Sequence, residues 1–190
     1  MKWLAAYLRE FFSRKYTAVF WGAFDPPTEA HYAIIAAVLA HQKIEDLIIV
    51  LNNHNYKNYL YSLEIRQQLL QSKYATENRV RFVWQDDQNE YRYERLQLLT
   101  RRPLCAVAGY DAYKQWLKNT DARELHRQYQ AIAVVPRGDE VPVILSARTF
   151  LLKIDLRYRY ISSTMMRAAF VSKTSDSVRI PDSDFNASTK

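Results

Sequence analysis

The chain has 190 residues, with 27 Lys and Arg against 20 Asp and Glu, a formal net charge of +7. Its 48% hydrophobic and 25% charged content suits one globular domain and excludes bulk disorder. The longest apolar run, residues 33–40, falls far short of the roughly 20 residues a membrane-spanning helix needs, which excludes an integral membrane protein. The single cysteine, Cys105, excludes an internal disulfide and a multi-cysteine metal cluster, and its apolar setting predicts a buried, inert thiol.

Residues 2–15 predict an amphipathic helix packed on the domain: Trp3, Leu4, Tyr7, Leu8, Phe11 and Phe12 recur at three- and four-residue spacing. Arg9 and Glu10 interrupt any secretory apolar core, which places the protein in the cytoplasm. A β-rich run at 16–20 then ends at Trp21–Gly22, and a helix is predicted over 28–40. A buried strand follows at 46–51, a helix at 62–74, a strand at 80–84 and a helix at 91–99. The remaining elements are a strand at 104–108 ending at Gly109, helices at 111–118 and 123–129, strands at 131–135 and 150–156, and a helix at 164–171. Strand alternating with helix predicts an α/β domain over 16–171, a doubly wound and mostly parallel Rossmann-like sheet, followed by a polar tail at 172–190.

Two strand-to-helix junctions carry the chemistry. The first is GAFDPPTEAH, Gly22 to His31. A glycine ends the strand, prolines stiffen the loop, and Thr28 and His31 are spaced to share one side of the first helical turn, where a phosphate is favoured by free N–H groups and the helix dipole. The second is ISSTMMR, Ile161 to Arg167, where Ser162, Ser163 and Thr164 offer hydroxyls at a helix start and Arg167 stands one turn on. Taken singly, each reads as an ordinary helix cap.

Together the pair resembles the GxFDPxHxGH and ISSTxxR signatures of the nucleotidylyltransferase superfamily. Within it the chain is most similar to the nicotinate and nicotinamide mononucleotide adenylyltransferases. GYDAYKQW matches that family's GxD element at Gly109 and Asp111, and AVVPRGD its arginine-bearing loop at Arg137. Thr28 stands where the family has its first histidine, as in the related phosphopantetheine adenylyltransferases. Ala30 stands for its glycine and Ala23 for a hydroxyl residue.

The resemblance implies transfer of AMP from ATP to a mononucleotide, with release of pyrophosphate, in NAD synthesis. Thr28, His31 and Arg167 would be the catalytic residues. Gly22, Ala23, Phe24, Gly109, Asp111, Ile161, Ser162, Ser163 and Thr164 would join them in binding ATP. Lys57, Arg66, Tyr91, Arg92, Trp116 and Arg137 would bind the acceptor. Mg2+ would arrive with ATP, held by phosphate oxygens and water rather than by a protein metal site. The expected partners are ATP and a phosphorylated small molecule, without nucleic acid or membrane; homo-oligomerisation is left open. Two readings stand beside this one: transfer to another acceptor such as phosphopantetheine, and nucleotide binding without turnover. A nucleic-acid module, suggested only by charge and the interleaved Tyr and Arg of 91–95 and 157–160, ranks last. His41 and His54 lack partners at metal spacing, and the pair Asp86–Asp87 reads as solvated turn carboxylates.

Overall fold

The computed structural model describes residues 14–89, 93–119, 127–144 and 146–160. Six strands form one sheet: β1 (Tyr16–Gly22), β2 (Ile44–Asn52), β3 (Val80–Gln85), β4 (Leu104–Gly109), β5 (Ala131–Val135) and β6 (Thr149–Leu151). Their order is β3-β2-β1-β4-β5-β6, and every pairing is parallel. Among the described residues, four helices are set between them: α1 (Glu29–Ala40), α2 (Leu63–Lys73), α3 (Tyr93–Gln97) and α4 (Tyr110–Asn119).

Both sheet faces are covered, which is why the inner strands read as continuous apolar runs instead of alternating ones. On one face Ala18, Phe20, Ile49, Cys105, Val107 and Ala133 pack with Ile34, Ile35 and Val38 of α1 and Leu70 of α2. On the other, Val19, Ile48 and Val50 meet Leu96 of α3, and Ile132 and Val134 meet Tyr110 and Tyr113 of α4. Cys105 is fully buried, and burial pushes its thiol well above the ordinary range. No described helix is long and apolar enough to cross a membrane.

Ser62 caps α2, its Oγ accepting from Ile65 N–H at 3.4 Å, as its position ahead of Glu64 suggested. Several boundaries depart from the sequence expectation: the strand at 46–51 runs from Ile44 to Asn52, and the helix at 91–99 ends at Gln97. The last strand stops at Leu151 instead of 156, because Leu152 N–H makes a last bond to Val134 O and Asp155 then caps a 3-10 turn over Leu156–Tyr158. Arg14 and Lys15 lead into β1 without regular structure and do not form the end of a helix. Residues 1–13 of that expected helix, 123–126 of another, the helix at 164–171 and the tail at 172–190 lie outside the described residues.

Chain order runs outward from β1 in one direction, through β2 to β3, and resumes at β4 on its other side. The carboxyl ends of β1 and β4 therefore flank the point where strand order reverses, and a ligand in this fold class binds there.

Candidate functional site

The loop after β1 is held from beneath. Phe24 has a left-handed backbone, φ 49°, and folds its ring back over Gly22. A Cβ on Gly22 would stand 2.9 Å from Phe24 Cε2, so glycine is required by that close approach. Asp25 is fully buried, and its two carboxylate oxygens accept from Leu60 N–H (2.7 Å) and Tyr61 N–H (2.9 Å), tying this loop to the one before α2.

Arg66 of α2 reinforces the same junction. Its side chain is fully buried. Nη1 donates to Ala23 O (2.7 Å) and Asn52 O (2.8 Å), Nη2 to Asn53 Oδ1 (2.6 Å), and Nε to Tyr61 O (3.1 Å). The guanidinium also lies over the Tyr59 ring at 4.1 Å. Burial pulls its pKa below the ordinary value, while Tyr59 and Asp25 oppose that shift. Expected at the acceptor, Arg66 in this structure directs its donors to the backbone carbonyls of Ala23, Asn52 and Tyr61 and to the Asn53 side chain.

Above this support, Thr28 caps α1 with an extended backbone. His31 Nδ1 accepts from Thr28 N–H at 3.0 Å and lies 2.8 Å from Thr28 Oγ1. A ring nitrogen that accepts carries no proton, so the hydrogen of the neutral imidazole is on Nε2. Burial and the neighbouring Arg137 lower the His31 pKa to about 4, which keeps the ring neutral near pH 7. The Phe24 ring stands 4.9 Å from it, fixing its plane.

His31, Phe20, Trp21, Gly109, Asp111, Trp116 and Arg137 line a pocket of about 370 Å³ at the carboxyl ends of β1 and β4. A second pocket of about 480 Å³ shares Asp111 and Arg137 with it and continues to Gly138, Glu140, Arg159 and Tyr160. Arg137 lies across Gly109, where an added Cβ would come 3.4 Å from its Nε. The Asp111 carboxylate is exposed in the first turn of α4, 3.9 Å from Lys114 Nζ. Ala30 is buried, so its methyl packs inward and not into the pocket.

Thus His31, Gly109, Asp111, Trp116 and Arg137, drawn from three separate stretches of sequence, meet in one pocket, with Thr28 bonded to His31. Lys57 is exposed on the loop after β2, its ammonium 5.5 Å from the Tyr56 ring centre. Tyr91, Arg92, Ile161, Ser162, Ser163, Thr164 and Arg167 lie outside the described residues. His54 has no partner at metal spacing in the sequence; in the structure its Nδ1 lies 2.8 Å from Asp87 Oδ1, and Asp87 also accepts from Asn55 N–H. That pair, 33 positions apart, joins the loops after β2 and β3.

A family model described as "Cytidylyltransferase-like" matches residues 19–169, most of the chain and all of the site described above. The chain belongs to the cytidylyltransferase-like family. It is also similar to two solved structures of Plasmodium falciparum nicotinic acid mononucleotide adenylyltransferase, one complexed with NaAD and one with APC. TM-scores are 0.61 and 0.60 at 16% and 15% identity, over 82% of this chain and 83% of each of those. At that identity the likeness is one of fold. A search among curated proteins finds no significant match. Family membership and fold together make the chain a nucleotidyltransferase in type.

Proposed function

We propose that this chain transfers AMP from ATP to the phosphate of nicotinate or nicotinamide mononucleotide, releasing pyrophosphate. The observation that carries this reading is the neutral His31, held through Nδ1 by Thr28 and left with an Nε2–H donor in a pocket at the sheet's switch point. An acceptor phosphate oxygen forms a bond to the α-phosphorus as the bond from that phosphorus to the β-phosphate oxygen breaks. Such chemistry needs positioning and charge stabilisation, not a protein nucleophile.

In this reading His31 Nε2–H donates to an α-phosphate oxygen as charge develops there, and Thr28 fixes the tautomer that makes this feasible. Arg137, beside His31 and across Gly109, adds positive charge on the same side of the pocket. Asp111 has the two acceptor oxygens that a ribose diol requires, and Trp116 offers a ring face. Ser163, Thr164 and Arg167 would hold the leaving pyrophosphate. Asp25 and Arg66 act as positioning residues, through the loops they tie together. Among the described residues, no cluster of three or more His, Cys, Asp or Glu side chains is placed to hold a metal ion. The single exposed carboxylate of Asp111 fits Mg2+ that arrives on the triphosphate and keeps water and phosphate oxygens as its ligands. Bound there, the ion would neutralise phosphate charge.

Thr28 is the feature that favours a second reading, with phosphopantetheine as acceptor. Incubation with Mg-ATP and each of the three acceptors, reading pyrophosphate release and product mass, separates these readings. The dinucleotide product is expected with a pyridine mononucleotide, and dephospho-coenzyme A alone would establish the second reading. His31→Ala should lower turnover by roughly 10²–10³, with a smaller change in ATP affinity. Release of pyrophosphate with none of the acceptors would leave nucleotide binding without turnover.

A further inference from the structure

Among the described residues, the positive charge is not spread evenly. Because all strands are parallel, the residues just before each strand gather at one edge of the sheet, opposite the pocket. Arg14, Lys15, Lys43, Arg81, Arg101 and Arg148 all lie at that amino edge, and none has a carboxylate partner among the described residues. Arg79 and Arg102 stand with them but are paired, Arg79 with Glu77 at 2.8 Å and Arg102 with Asp46 at 2.7 Å. Glu45, Asp46 and Glu77 are the carboxylates they meet there. A pocket of about 390 Å³ opens between Arg79, Arg81, Arg101 and Arg102. The carboxyl edge is mixed, setting Lys57, Lys114, Arg137 and Arg159 among Asp86, Asp87, Asp111, Asp139 and Glu140.

We infer that the amino edge of the sheet is a docking face for an anionic lipid bilayer, which revises the sequence expectation of no membrane partner. Two observations favour a bilayer over other polyanions. Leu98, 85% exposed, stands on the turn leading to Arg101 and Arg102, which adds an exposed apolar side chain to this edge. The exposed aromatic side chains Tyr56, Trp84 and Tyr160 lie at the carboxyl ends of the strands, whereas Phe150 at the amino edge is stacked against His41 at 4.3 Å. Among the described residues of this edge, a single-stranded nucleic acid would find phosphate contacts but no open ring on which to stack its bases. Docking by this edge leaves the pocket at the carboxyl ends facing solvent. The proposal does not depend on adenylyl transfer.

The test is co-sedimentation of the full chain with vesicles of phosphatidylcholine alone or mixed with phosphatidylserine, at low and high salt. Binding is expected only with phosphatidylserine and should fall as salt rises. Each basic residue near an anionic surface contributes about fivefold to partitioning, so Arg101→Gln with Arg148→Gln should weaken it about 25-fold. Should that pair fail to fold by circular dichroism, Arg14→Gln with Lys43→Gln makes the same prediction. The same variants are tested against a single-stranded RNA by fluorescence anisotropy. The proposal is overturned by absence of binding to phosphatidylserine vesicles at low salt. Equal binding to phosphatidylcholine, indifference to the substitutions, or tighter arginine-dependent binding of the RNA would overturn it as well.

Discussion

Replacing Arg66 with methionine keeps much of the side-chain volume and removes every donor. Ala23 O, Asn52 O and Asn53 Oδ1 then lose partners that stand 2.7, 2.8 and 2.6 Å away. Each of these bonds to a charged donor contributes about 1.5–3 kcal/mol, while the desolvation of the guanidinium, no longer required, offsets several kcal/mol. The balance is a loss of about 3 kcal/mol, enough to shift the midpoint of a urea unfolding curve followed by fluorescence of the four tryptophans. Arg66→Lys restores the charge but cannot reach all three acceptors, so it should fall between. Asp25→Asn should be less than additive with Arg66→Met, by about 0.5–3 kcal/mol, because both residues hold the backbone at Tyr61. A loss below about 1 kcal/mol in Arg66→Met, or strict additivity with Asp25→Asn, would show that these two residues do not form one latch.

Other outcomes follow from the same geometry. The folded His31 pKa of about 4 lies below the ordinary 6.5, so its stabilising contribution is complete above pH 6.5 and is lost as pH falls toward 4. The loss amounts to about 3 kcal/mol, and the stability difference between the parent and His31→Gln should shift by that amount between pH 7 and pH 4; a pH-independent difference would contradict it. Gly22→Ala should cost about 1–3 kcal/mol in thermal or urea unfolding, since its methyl group meets the Phe24 ring. If Arg92 pairs with the nicotinate carboxylate, kcat/KM should favour nicotinate mononucleotide over the amide, and Arg92→Ala should erase most of that preference. Equal kcat/KM for the two in the parent protein would remove Arg92 from the acceptor site.

Much of the fold was legible because both sheet faces are covered. LIIVL at 47–51 and LCAVA at 104–108 are continuous apolar runs that only a doubly covered sheet accommodates, and Gly22 and Gly109 end the two strands that bracket the pocket. Thr28 and His31 were legible for a local reason, as helical neighbours three positions apart. Contacts between distant loops left less of a signal. Arg66 looks like any helix arginine until the carbonyls of Ala23 and Asn52 are seen to converge on it. The His54–Asp87 contact spans two loops with no shared periodicity. Trp21 and Phe20 in the pocket could have been suspected, since they directly precede the glycine of GAFDPP at a strand end. The end of β6 was obscured because Leu152 stays buried after the strand has stopped, which prolongs the apolar pattern.

The central claim is that the pocket between β1 and β4 receives ATP with its α-phosphate at His31. A crystal structure of the full chain with Mg2+ and a non-hydrolysable ATP analogue tests it most directly. The claim predicts an α-phosphate oxygen within hydrogen-bond reach of His31 Nε2 and the ribose hydroxyls against Asp111. An analogue bound elsewhere, such as the arginine-lined pocket at the amino edge, with the His31 pocket empty, would contradict it.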